Sequence, residues 1–125
     1  MKKKLSNKTI IIKYSLKPKA ENIRDYLEVL EQTKIAVEAS EIGSLDNFIT
    51  KAHKEENTYY WLNIFKCEYD LIFHLNNPVM CLFWANNEFL GNEYLVEVFG
   101  NTNNESSSQI NMIHKNCSFY KREFD

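Results

Sequence analysis

The residues best equipped for chemistry are His53, His74 and His114, with Cys67, Cys81 and Cys117. Two histidines and a lysine could carry the acid–base steps of a small hydrolase or nuclease, one imidazole taking a proton as the other gives one. His74, His114 and Lys115 are the candidates. In a strand, however, Lys115 points to the face opposite His114. His53, among Lys51, Lys54 and Glu55, reads as part of a solvated face. Asp70, His74 and His114 lack any recognised ligand spacing, so no metal site is expected.

Cys81 would be a nucleophile only with a base in reach and an electropositive, partly open setting. It lies instead in "VMCLFWANN", residues 79–87. Read as a strand, that run is apolar on both faces, as a central covered strand would be. Apolar surroundings raise a thiol's pKa and leave it inert. Cys81 is then filler and Trp84 a packing anchor. The cysteine spacings of 14 and 36 fit no zinc pattern. Reduced, mostly buried thiols are expected. No nucleotide-loop, nucleophile-elbow or H-E-x-x-H motif occurs. Three glycines, Gly43, Gly91 and Gly100, leave little to cradle a phosphate. Neither a cofactor nor a catalytic residue is therefore assigned.

The elements that would hold these residues follow from periodicity. "TIIIKYSL" (9–16) is β-branched and reads as a strand with Ile10, Ile12, Tyr14 and Leu16 on one face. Pro18 suits a helix start. Ile23, Tyr26, Leu27 and Leu30 then recur at helical spacing. "KIAVEAS" (34–40) could extend that helix or form a second strand; the alternation of Ile35 and Val37 favours the strand. "GSLDNFITKAHKEEN" is read as a second helix capped by Ser44, burying Leu45, Phe48, Ile49 and Ala52. From Thr58 the pattern becomes period two. "TYYWLNIFK", "YDLIFHL", "VMCLFWANN" and "YLVEVFG" are read as strands, with a turn at "NNP" (76–78). Tyr59, Tyr60, Trp61 and Phe65 form an aromatic cluster, read first as core packing. "NTNNESSS" (101–108) is polar enough to be a disordered loop, and "QINMIHKNCSFY" closes as a strand.

The expectation is an α+β domain: a mostly antiparallel sheet of six to seven strands with two helices packed on one face. A single domain over 9–125 follows a flexible basic arm over 1–8. At 125 residues one ordinary core suffices. No apolar run approaches the ~18 residues of a membrane span. No signal-peptide cleavage site follows the basic start, so a cytosolic location is expected.

Charge is unevenly spread. Residues 1–19 hold seven lysines and no acid, whereas residues 20–100 hold fourteen acids against five bases. An acidic body is a poor match for phosphate backbones, so neither nucleic acid nor membrane is an expected partner. Asp25, Glu28 and Glu31 on the outer face of the first helix could meet a basic protein partner. Glu88 and Glu93 in the loop after Trp84 could do the same.

The segment from "GSLDNFI" through "YYWLNIF", "YDLIFHLNNPVMCLFWANN" and "YLVEVFG", roughly 43–100, resembles the small immunity proteins of bacterial polymorphic and contact-dependent toxin systems. The resemblance implies a non-enzymatic cytosolic protein, monomer or weak dimer, that neutralises one cognate protein toxin, often a nuclease. Two alternatives stand beside it. One is a phage or defence-related module that sequesters a small ligand, using Arg24, Lys66, Lys115 and Arg122. The other is a small hydrolase or nuclease in which His74 and His114 converge.

Overall fold

The first β-branched run forms the centre of the sheet. The computed structural model describes residues 7–121. Strand β1 (Ile10–Leu16) pairs with β3 (Tyr59–Phe65) on one side and β4 (Leu95–Phe99) on the other, antiparallel to both. Beyond β3 lies β2 (Ser44–Lys51), also antiparallel. Beyond β4 lies β5 (Cys117–Tyr120), which runs parallel to it. The order β2-β3-β1-β4-β5 makes one mixed five-stranded sheet. Four helices accompany it: α1 (Ile23–Ser40), α2 (Glu68–Leu75), α3 (Pro78–Leu90) and α4 (Asn104–Ile113). The α+β class holds. So does the mostly antiparallel pattern, with three of the four strand pairings antiparallel, but the strand count and the two-helix count do not.

The inner sheet face is as the period-two reading requires. Ile10, Ile12, Tyr14 and Leu16 are buried, opposite Trp61, Phe65, Val96 and Val98. The helices cover this face with Tyr26, Leu30 and Val37 of α1, Leu71 and Leu75 of α2, Met80 and Phe83 of α3, and Ile110 of α4. Of the aromatic cluster, Trp61 and Phe65 enter this core, while Tyr59 and Tyr60 stay half-buried.

Five stretches differ from the sequence reading. Residues 34–40 continue α1, because Thr33 and Val37 extend the buried stripe of Tyr26 and Leu30 at spacings of three and four. Ile35, the other half of the supposed alternation, faces solvent. "SLDNFITK" is strand β2 rather than a helix capped by Ser44. It lies at the sheet edge, where Asn47 is its buried residue and Phe48 is exposed. A hairpin joins it to β3 through Asn57, which takes a positive φ of 52°. Asparagine tolerates that region better than most residues. His53 sits exposed in this hairpin loop.

"YDLIFHL" is helical, burying Leu71, His74 and Leu75. Alternation would have buried Phe73, which is exposed. "VMCLFWANN" is not the central strand but most of α3. Asn77 caps this helix by accepting from the Val79 N–H at 3.1 Å, and Pro78 occupies the first turn. The Asn-Pro pair expected to make a turn between strands instead starts a helix. Cys81 is consequently exposed, while Cys67 and Cys117 are half-buried. Finally, Asn103 caps α4 through the Ser106 N–H at 2.9 Å. Residues 104–108 are thus helical and the last strand shrinks to 117–120.

The basic arm expected over 1–8 falls largely outside the described residues. Among those described, no helix is long and apolar enough to cross a membrane.

Candidate functional site: an aromatic cleft backed by buried polar chains

Helix α3 places Trp84, Asn87 and Glu88 at spacings of three and four, so all three lie along one face, and Gly91 follows as its C-cap. That face borders a cleft of about 370 Å³, which Tyr94, Ile113 and Lys115 also line. The helix end is strapped to the end of β1. Lys19 N–H donates to Leu90 O at 2.9 Å and Asn92 N–H to Lys17 O at 2.7 Å. Tyr26 donates to Asn87 Oδ1 at 2.6 Å beneath Gly91. A Cβ at Gly91 would meet Asn87 Oδ1 at 2.5 Å and the Tyr26 ring at 2.9 Å, so glycine is required for this approach.

Trp84 is the hub of the wall. Its indole stacks on Tyr94 at 4.5 Å with an interplanar angle of 20°. It meets His114 edge-on at 4.8 Å, Tyr14 at 5.0 Å and Phe83 at 5.0 Å. The Tyr94 hydroxyl pairs with His114 Nδ1 at 2.8 Å. His114 is buried, and its Nε2 has no hydrogen-bond partner. Burial, with His74 nearby, lowers the His114 imidazole to about 4. Burial, with Glu88 adding, raises the Tyr94 phenol to about 12. Both groups are therefore neutral at ordinary pH and act as hydrogen-bonding groups. The cleft's charges are Lys115, Glu88 and Glu93, all exposed.

Behind Trp84 lies a second polar chain. Tyr14 pairs with His74 Nε2 at 2.8 Å. His74 Nδ1 meets both oxygens of Glu41, at 2.8 and 2.9 Å. Glu41 also accepts from Asn77 Nδ2 at 2.8 Å. All four residues are buried. Because Nδ1 faces a carboxylate, which can only accept, it carries the hydrogen of that contact. Burial, with Glu41 adding, pushes the Tyr14 phenol well above its ordinary range.

The structure distributes the sequence candidates unevenly. Glu88 and Glu93 come together at the cleft, whereas Asp25, Glu28 and Glu31 lie exposed on α1 and line none of it. His74 and His114 both pack against the Tyr14 ring, at 6.1 and 5.9 Å between centroids. Neither reaches solvent, so the open two-histidine site of a hydrolase is not formed. Lys115 lines the cleft while adjacent His114 is buried, as opposite-facing neighbours should be. Among the described residues no group of three or more His, Cys, Asp or Glu could hold a metal ion. Tyr14, Glu41, Asn77 and Tyr94 were not singled out from the sequence. The missed signal was Asn77-Pro78 as a helix start, which would have put Trp84, Asn87 and Glu88 on one face.

No family model matches the chain, and no curated protein does. Solved structures do. MupZ from Pseudomonas fluorescens superposes with a TM-score of 0.73 at 12% identity, over 100% of this chain and 93% of that one. A "putative antibiotic biosynthesis monooxygenase" from Caulobacter crescentus gives 0.69 at 18% identity, over 77% and 92%. One of the same description from Deinococcus radiodurans gives 0.67 at 14%, over 75% and 93%. This chain shares its fold with these proteins. At these identities the likeness is one of fold alone. It nonetheless overturns the resemblance to immunity proteins, which rested on a strand pattern that α2 and α3 do not have. Toxin neutralisation, the non-enzymatic reading and the protein toxin as partner fall with it.

Proposed function

We propose that this chain is a small-molecule enzyme of the monooxygenase type that seats a planar, hydroxyl-bearing ring in the cleft beside Trp84. The observation that carries the reading is the stacked Trp84–Tyr94 wall, held from behind by buried His114 and facing Lys115 across about 370 Å³. A cleft of that size suits a small ligand with few polar contacts. The aromatic wall offers a flat apolar surface for a ring. Lys115 offers a charge for an oxyanion formed on it. Tyr94, kept protonated, can donate to a ligand oxygen. The names of the neighbouring folds support oxygenation as the reaction type. Removing the ring's hydroxyl proton would make it electron-rich enough to react with dioxygen.

The test is a panel of hydroxynaphthalenes, followed by calorimetry for binding and an oxygen electrode for turnover. Saturable binding is expected, weakened about tenfold in Trp84→Ala because a stacking face is lost. Oxygen uptake should exceed the buffer rate for the most easily oxidised members. If no member binds saturably and none drives uptake, the reading is wrong.

A further inference from the structure

The polar side chains lining the cleft are mostly exposed, but Asn87 is only 6% exposed. Burying an amide costs free energy unless both of its ends are used. Its Oδ1 is used, accepting from the Tyr26 hydroxyl at 2.6 Å. Burial, with Tyr94 adding, raises the Tyr26 phenol well above its ordinary range, so the phenol keeps its proton and stays a donor. That fixes which way the amide faces. Reversing it would leave the hydrogen of the buried Tyr26 hydroxyl without an acceptor. Nδ2, by contrast, has no hydrogen-bond partner among the described residues. The side-chain atoms there that are both sealed and unpartnered are Nδ2 and Oδ1 of Asn63 and Nε2 of His114. Asn87 Nδ2 is not one of these, so it opens onto accessible space, and the space that Asn87 lines is the cleft. We propose that Asn87 sets the specificity of the cleft: its Nδ2 donates a hydrogen bond to a carbonyl oxygen on the bound ring, so the ligand carries a carbonyl as well as a hydroxyl. The proposal rests on the reading of the cleft given above.

The placement suits that role. Asn87 follows Trp84 by three residues on α3, which carries its amide about 4.5 Å further along the helix axis. A ring lying along Trp84 can therefore direct a substituent oxygen at Nδ2. Gly91 packs directly on the amide, since a Cβ there would meet Oδ1 at 2.5 Å and Cγ at 3.1 Å. Held by Tyr26 and Gly91, the amide cannot turn to suit its ligand, and its N–H must meet an acceptor. A carbonyl accepts without donating, whereas an ammonium in the same place would set donor against donor. Charge narrows the choice further. Glu88 and Glu93 outnumber Lys115 at the cleft, which favours a neutral acceptor over a carboxylate. The hydrogen bond should discriminate between ligands, because an analogue without the oxygen covers Nδ2 and leaves it unpaired.

The experiment compares isomeric acetylnaphthols, hydroxyl and acetyl on separate rings, with the ethylnaphthols of the same substitution pattern, by calorimetry on the full chain. The wild type should bind at least one acetylnaphthol about tenfold more tightly than its ethyl partner. Asn87→Asp keeps the acceptor for Tyr26 but puts an oxygen in place of the donor, so at about pH 8 the preference should vanish. Tyr26→Phe frees the amide to turn. It should cut the preference to about threefold or less while the ethyl partner binds within about threefold of wild type, and it stands in if Asn87→Asp does not fold. A purely structural role for Tyr26 would weaken both ligands alike and leave their ratio unchanged. Equal binding of every acetyl and ethyl pair by the wild type overturns the proposal and leaves the cleft reading intact. A preference that survives both variants also overturns it, and its loss in Lys115→Gln then assigns the donor to Lys115. If no naphthol binds saturably, the cleft reading itself fails and the proposal falls with it.

Discussion

His114 gives the clearest quantitative handle on this interior. Its imidazole ionises near 6.5 when unfolded and is lowered to about 4 in the folded protein by burial. The unfolded chain therefore binds the extra proton first as pH falls. Stability from this group is fully present above about 6.5 and is lost progressively down to about 4. Integrating over that window, acidification from pH 7 to pH 5 should cost the native state about 2 kcal/mol through His114 alone. For a chain of this length that is about 8 °C in Tm. The assay is urea unfolding at both pH values for wild type and His114→Phe, which keeps a ring in the site and removes the titration. The variant's constant penalty, from the lost Tyr94 partner, cancels when each protein is compared with itself across pH. Wild type should lose about 2 kcal/mol more than the variant. An NMR titration of the His114 ring should show its midpoint near 4. If both proteins lose the same stability, or if the ring titrates near its ordinary value, the imidazole is not held neutral by burial and the account of the cleft's back wall fails.

Further outcomes follow from single contacts. Asn63 is buried on the inner face of β3 with both amide atoms unpartnered. Asn63→Leu, which keeps the branched skeleton, should stabilise the fold by about 1–3 kcal/mol in urea titration; a destabilised variant would mean the amide has a partner. Asn77→Ala removes the α3 cap and a donor to Glu41, and should cost about 2 kcal/mol by the same measurement, whereas a cost near zero would contradict the capping role. Lys115→Gln should weaken binding of 2-naphthoate about fivefold at low salt and flatten its salt dependence. Unchanged binding would place the anion elsewhere.

Strand β1, the start of α1, β3 and β4 were readable because their buried residues alternate or recur cleanly along the chain. Ile10, Ile12, Tyr14 and Leu16 show the two-residue period. Tyr26 and Leu30 show the helical one. The misread elements carry weak or ambiguous periods. Helix α2 is eight residues long, and its buried Leu71, His74 and Leu75 also fit a partial alternation. Helix α3 is so apolar that either period fits. Helix α4 buries only Ser106 and Ile110, so its sequence looks like a loop. Its start is held by the Glu68 carboxylate of α2, which accepts from Asn103 N–H at 3.0 Å and Ser106 Oγ at 2.6 Å.

The sequence by itself determined an acidic body and a sheet built around the β-branched first strand. Local pattern suffices for these, since side-chain volume and charge act at their own positions. Only the tertiary structure decided the site. Tyr14 and His74 are 60 positions apart, and His74 and Glu41 33 apart. Nothing in the chain between them signals that they meet. Their alignment depends on how α1 ends, how α2 turns and how both sit on β1, and packing rather than local propensity sets those relations.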